Sequence, residues 1–376
     1  MPDQDETPIR STAHMNRAWA SVVSIRAGRS GLSRALCRLD DGTEAEAVGY
    51  PELVGTIAEG DRVLLNTTAV DLALGSGGVH FIIARDSDPG ESRESTGHIV
   101  KLRYTPHQMA LLAVEEPASE FHSAIETADS LAGMPVVCCE LVSQVPAVIA
   151  GLRSRGEPGR IALTVSDEAA LPAQYSDLMM DLRSGGFVCS VITAGQAFGG
   201  DLEAVNVHSA LLAARIACGA AFAIVTPGPG TVGTGTKWGF SGVRQGEAIN
   251  AIAALEGRPI GVVRASGAEA RGRHTGISHH TRTVFTRVAT APFSAAWPAG
   301  FASRYAEAWC SLCAETGPRI SGYIVEGATE ALQSFENDWR AWKTMGRGRS
   351  EDPLYYEAAA AAGILAMNLR REANCE

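Results

Sequence analysis

Two segments of this chain gather the residue types from which a ligand site can be built. Residues 226–242 read TPGPGTVGTGTKWGFSG, with six glycines, four threonines and one lysine in seventeen positions. The segment lies between an apolar run that reads as a buried strand and a run with helical spacing. In an open α/β sheet that is where ligands bind, because strand carboxyl ends meet the positive ends of helices. Glycines expose backbone N–H groups, and threonine hydroxyls add uncharged donors. Gly228, Gly230, Thr231, Thr234, Thr236 and Lys237 are therefore the expected cradle, for a phosphate or a carboxylate. The segment matches no standard phosphate loop. Thr236 precedes Lys237, and Trp238 stands where a Walker A motif needs Ser or Thr. Pro229 and the length of the loop also break the GxGxxG dinucleotide pattern. A flexible surface loop of small residues is the bland alternative.

The second segment, residues 264–287, follows the next expected strand. It holds five arginines against a single acid, Glu269, within a chain whose formal charge is −10. Neighbouring parallel strands would set it beside the glycine–threonine loop. Arg271, Arg273 and Arg282 could then balance the charge of an anion. His274 or His279 could act as acid or base near neutral pH. A metal site is expected less than an anion pocket. Read as a strand, the segment sends His279 and His280 to opposite faces, so at most one could join His274. A solvated basic loop is the plain alternative.

Weaker candidates lie elsewhere. Lys101, Arg103, Tyr104 and His107 form a polar cluster that nothing ties to a pocket. Asp201 and Glu203 are read as complementing a helix dipole, His208 as a core-edge residue, and Asp167 as a helix cap. Cys310 and Cys313 make a lone CxxC within a helical stretch, which favours buried thiols over a zinc or redox site. No nucleophile elbow, HExxH or convincing Ser/His/Asp set is present.

The elements that must position these residues fall into a few blocks. Residues 1–17 read as a frayed polar tail. Residues 18–86 carry five short β-prone runs divided by glycine-rich turns, which predicts a small barrel of the OB or SH3 kind. No exposed aromatics with interleaved lysine or arginine are seen there, so the barrel reads as a packing module rather than an oligonucleotide binder. Residues 87–97 read as a linker. Residues 98–376 alternate buried strands with helices, which predicts a mostly parallel, Rossmann-like sheet covered on both faces. From about residue 301 the pattern becomes mainly helical. Asp352 and Pro353 would cap a helix over residues 354–369.

Composition sets the outer limits. A chain of 376 residues exceeds one ordinary core. Its net charge of −10 argues against wholesale binding to nucleic acid or an anionic membrane. No uncharged stretch is long enough to span a bilayer, and no secretory leader is read at the start. Eight scattered cysteines fit reduced cytosolic thiols. No cofactor follows from the sequence, and a homo-oligomer is compatible with it.

Four segments together carry a family likeness: residues 97–105 (GHIVKLRYT), 226–242, 274–282 (HTGISHHTR) and 344–348 (TMGRG), the last followed by Glu351, Asp352 and Pro353. On these the chain resembles an uncharacterised bacterial family, domain of unknown function 3866, over most of residues 19–363. The resemblance implies a bacterial cytoplasmic protein and brings no activity, cofactor or catalytic residue. Three uses remain open from sequence: an enzyme or sensor for a small anionic metabolite, a non-catalytic scaffold, or a metal-dependent hydrolase using the histidine-rich loop.

Overall fold

In the computed structural model, residues 15–73, 78–86, 97–166 and 171–375 are described. The expected linker (apart from Gly97), Asp167 and most of the expected N-terminal tail lie outside them. The chain divides into two compact units, residues 1–93 and 94–376.

The first unit is a closed barrel of β1 (Arg17–Arg29), β2 (Leu32–Leu39), β3 (Glu44–Gly49), β4 (Arg62–Asn66) and β5 (His80–Arg85). The order round it is β1-β2-β3-β5-β4, antiparallel except between β3 and β5. Alternation along the strands turns Val22, Ala35, Cys37, Ala47, Val63, Leu65 and Ile82 into one small core. Arg17 lies on β1, so the barrel begins inside the expected tail.

The second unit is built on eight parallel strands. They are β6 (Pro135–Cys138), β7 (Ile161–Ser166), β8 (Ser190–Ala194), β9 (Leu202–Ala204), β10 (Phe222–Pro227), β11 (Arg258–Gly261), β12 (Phe293–Pro298) and β13 (Ile320–Val325). Their order is β9-β8-β7-β10-β6-β11-β12-β13. The central strands are apolar at successive positions because both faces are covered. Val137, Leu163, Phe222 and Ile224 enter one core, packed by α1 (Val145–Arg153), α2 (Asp177–Ser184), α7 (Ala328–Phe335) and α8 (Pro353–Cys375). Val136, Ala162, Ala223 and Val225 enter the other, packed by α3 (Val207–Ile216), α4 (Arg244–Ala254) and α6 (Ala306–Thr316).

Several local expectations change. Asp201 and Glu203 do not open a helix. Glu203 lies on β9, and Asn206 caps α3 through its side chain instead. The helix expected from Asp167 begins only at Asp177, where Ser176 accepts from the Met179 N–H. His208 is exposed, not at a core edge. The CxxC does sit on α6, yet Cys310 is exposed and Cys313 half-buried. The last part of the chain is not all helical, because β13 forms the sheet edge. Only one of its six residues, Val325, is buried, so it lacks the apolar run that marks the central strands.

Candidate functional site

The sheet itself makes a crevice. β10, β6 and β11 are neighbours, yet the chain leaves β6 for α1 in the first core and leaves β10 for α4 in the second. Connections departing to opposite faces from adjacent strands part at the carboxyl ends and leave a cleft. Gln245 on α4 pins the strands there, its Nε2 donating to Cys138 O at 2.7 Å and Val262 O at 2.8 Å.

Glu140, two residues past β6, occupies this cleft with no exposed surface. Its Oε1 accepts from Arg264 Nη1 at 2.7 Å and from His280 Nδ1 at 2.8 Å. Burial pushes the Glu140 carboxyl up, but the His280 hydrogen bond and the Arg264 charge outweigh it, and the group titrates below the ordinary range. An ionised acceptor puts a proton on Nδ1, so His280 donates from Nδ1 and turns its Nε2 edge away from Glu140. Phe240 stacks on the His280 ring, centroids 3.8 Å apart and planes 5° from parallel. Gly242 lets the backbone lie against this cluster, since a Cβ there would stand 2.8 Å from Glu140 Cγ and 3.2 Å from Phe240 Cδ2.

Three imidazoles converge beside Glu140. His279 and His280 open a short helix, α5 (His279–Thr283), which Ser278 caps by accepting from His280 N–H. The strand expected here is absent, and with it the reason for parting the two rings. Successive helical residues diverge by only about 100°, and both rings reach His274. The ring centroids lie 4.8 Å apart for His274–His279, 4.8 Å for His274–His280 and 4.4 Å for His279–His280. His274 Nδ1 is 2.8 Å from Ser278 Oγ. Burial first, then the charge of Arg264, pulls His274 down to about 3. Burial and the neighbouring His280 also lower His279. Both rings are neutral at pH 7.

The two expected loops do meet. An added Cβ on Gly233 would stand 3.8 Å from His280 Cε1, and one on Gly235 would stand 3.7 Å from Arg273 Nη1. Lys237 and His279 share a cavity of about 350 Å³ with Arg282, Thr283, Thr286, Arg287 and Glu315. Arg282 is ion-paired with Glu315. The hydroxyls serve the loop itself. Thr234 Oγ1 and Thr236 Oγ1 lie 3.0 Å apart, and each bonds to the Gly239 backbone. Gly228 packs on Leu171, while Gly230 is exposed and Thr231 half-buried. Arg271 is held away by a two-pronged pair with Glu269, at 2.9 Å on each arm.

The remaining signature segments act as clamps. Lys101 does not reach a pocket. It is fully buried, donating to Thr193 O, Ala197 O and Glu203 Oε2, the last at 2.6 Å. Asp352 precedes α8 as expected, but its carboxylate reaches across to Ser266 Oγ at 2.5 Å and Gly267 N at 2.9 Å. Arg347 joins Asp352 to Glu269. Tyr355 and Thr344 both bond to Ser143, just after β6.

Residues 46–363, most of the chain, match the family described as protein of unknown function (DUF3866). The chain belongs to the DUF3866 family. No curated protein and no solved structure matches it. In this DUF3866 chain, sequence reasoning missed Glu140, Arg264, His280 and Phe240 as members of the site. Glu140 had a signal: it is the one charge in the otherwise apolar run of residues 135–141, at a strand's carboxyl end. His280 was lost through the wrong choice of strand over helix.

Proposed function

We propose that this protein binds a small anionic metabolite, bearing phosphate or carboxylate, between the glycine–threonine loop and α5. The observation that carries the reading is the sign of the cavity: Lys237, Arg282 and Arg287 line it and Glu315 is its one acid. Three cations in a chain of net charge −10 form a local minimum for a negative ligand. The Arg282–Glu315 pair is part-exposed and worth little, so an anion can compete for the guanidinium. Arg273, beside Gly235, extends the basic wall. A larger cavity of about 770 Å³ lies at the carboxyl ends of β12 and β13, but Glu326, Glu330 and Glu357 against Arg155 give it the wrong charge.

The folds support finer readings. The barrel order, with β3 and β5 parallel, favours the OB kind over the SH3 kind. With β6 and the edge strand β13 set aside, the remaining six strands follow the 3-2-1-4-5-6 order of Rossmann-like proteins, and β6 is inserted between the fourth and fifth of them. A cytoplasmic location is supported by the free state of the seven described cysteines. Among the described residues, no helix is long and apolar enough to cross a membrane.

Thermal unfolding tests the ligand. Inorganic phosphate, nucleotides and small dicarboxylates, each added with a chelator present, should include one that raises the melting temperature. Saturation at 100 times the Kd stabilises by about 2.7 kcal/mol. Lys237→Ala should weaken that response at least tenfold in ligand concentration. If no anion acts at millimolar levels, or Lys237→Ala responds as wild type does, the cavity is not an anion site.

A further inference from the structure

We propose that His274, His279 and His280 hold a divalent transition-metal ion at the wall of this cavity. The proposal goes beyond the anion reading and does not depend on it.

The three rings each offer a nitrogen, and these atoms lie within 4.8 Å of one another. Tetrahedral zinc with bonds of about 2.0–2.1 Å needs nitrogens about 3.4 Å apart. A bound ion therefore draws the rings inward by roughly an ångström, less than a change of rotamer.

The far sides of the rings are already arranged for ligation. A ligating histidine donates its other N–H to a carboxylate or another acceptor, which fixes the tautomer and aims the lone pair. Glu140 does this for His280, from a fully buried position. Ser278 Oγ does it for His274, having a second lone pair beside the one that caps α5. On His279 the Nε2 atom is buried and has no hydrogen-bond partner. An orphaned buried polar atom costs about 1–3 kcal/mol, and a metal bond removes that cost.

The charge balance also permits the ion. Arg264 is paired with Glu140 on the Nδ1 side of His280, and Arg271 is paired with Glu269, which leaves Arg273 as the further cation whose charge bears on His279. Three imidazoles with no thiolate suit zinc, nickel, iron or copper rather than calcium or magnesium. Three protein ligands leave a fourth position, as in catalytic rather than structural sites. His279 also lines the cavity with Lys237 and Arg282, so the metal site would adjoin the proposed anion.

The test uses the full-length protein, stripped with chelator, in a buffer free of phosphate. Zinc alone is titrated by calorimetry, and cobalt alone by its visible spectrum. One equivalent should bind to wild type, and cobalt should give the intense bands of a tetrahedral site. His274→Ala and His279→Ala should each lose more than the 10–100-fold in zinc affinity expected for disturbing a supporting residue. His208→Ala, an exposed histidine on α3, should bind as wild type does. Circular dichroism checks folding; if His274→Ala does not fold, wild type and the half-buried His279→Ala decide. The proposal is overturned if wild type takes up no stoichiometric zinc, or if His279→Ala binds zinc as tightly as His208→Ala. Because zinc is titrated without phosphate and anions with chelator, either result can fail without the other.

Discussion

A buried carboxylate is stabilising only when its partners replace the water it has lost, and Glu140 has Arg264 and His280 at 2.7 and 2.8 Å. Removing it leaves Arg264, itself 6 % exposed, as an uncompensated charge. Glu140→Ala should therefore lower stability by about 3–5 kcal/mol, the usual cost of breaking a buried pair. Urea denaturation of the two proteins measures it. A loss below about 1 kcal/mol, the range of surface pairs, would show that water replaces the pairing. The composition of this cluster was partly legible in the sequence. His274 and His279 stand out within a basic stretch, and Glu140 is a lone acid in an apolar run. Their pairing was not, because residues 140, 264 and 280 meet only through the sheet.

Among the elements, the loops after β11 and before α8 form a single clamp. Glu269 accepts from both Arg271 and Arg347, and Asp352 holds Ser266 and Gly267. The Arg271 hydrogen bonds bring the Glu269 carboxyl down from an ordinary 4.5 to about 2. A folded-state value below the unfolded one means that the ionised form is favoured by folding. Its contribution is complete above about 4.5 and fades as the pH falls towards about 2. The stability gap between wild type and Glu269→Gln should thus be open at neutral pH and close across that interval. Denaturation at a series of pH values checks it, and a gap independent of pH would mean that the carboxylate charge plays no part. Asp352 was legible as a residue preceding a helix. That its side chain would leave the helix for Ser266 was not, since a local cap and a distant partner compete for the same oxygens.

The whole molecule places all of this chemistry in one unit. Glu140, Lys237, Arg264 and the three histidines all lie within residues 94–376, whereas the barrel has its own core around Val63 and Leu65. Leu65→Ala should cost about 2–5 kcal/mol, as large-to-small changes in a packed core do. In the folded variant, zinc and phosphate affinities should equal those of wild type. A loss of either would bring the barrel into the site. At this scale the sequence was read well, because five β-prone runs and then alternating strands and helices are patterns of period and spacing.

The sequence alone determined a β-rich first part, the central strands β6, β7, β8, β10 and β11 with the helices α3 and α4, and the two loops where polar residues gather. Those features are local: they follow from hydrophobic period, glycine placement and the charge of short stretches. The tertiary structure decided that the loops would share a cavity, that the threonine hydroxyls would close their own loop, and that the three histidines would face one another. These depend on strand order, which sets β6 between β10 and β11 and so brings Glu140 against residues more than a hundred positions away. No period in the chain encodes that order. It is fixed by which faces can be buried together.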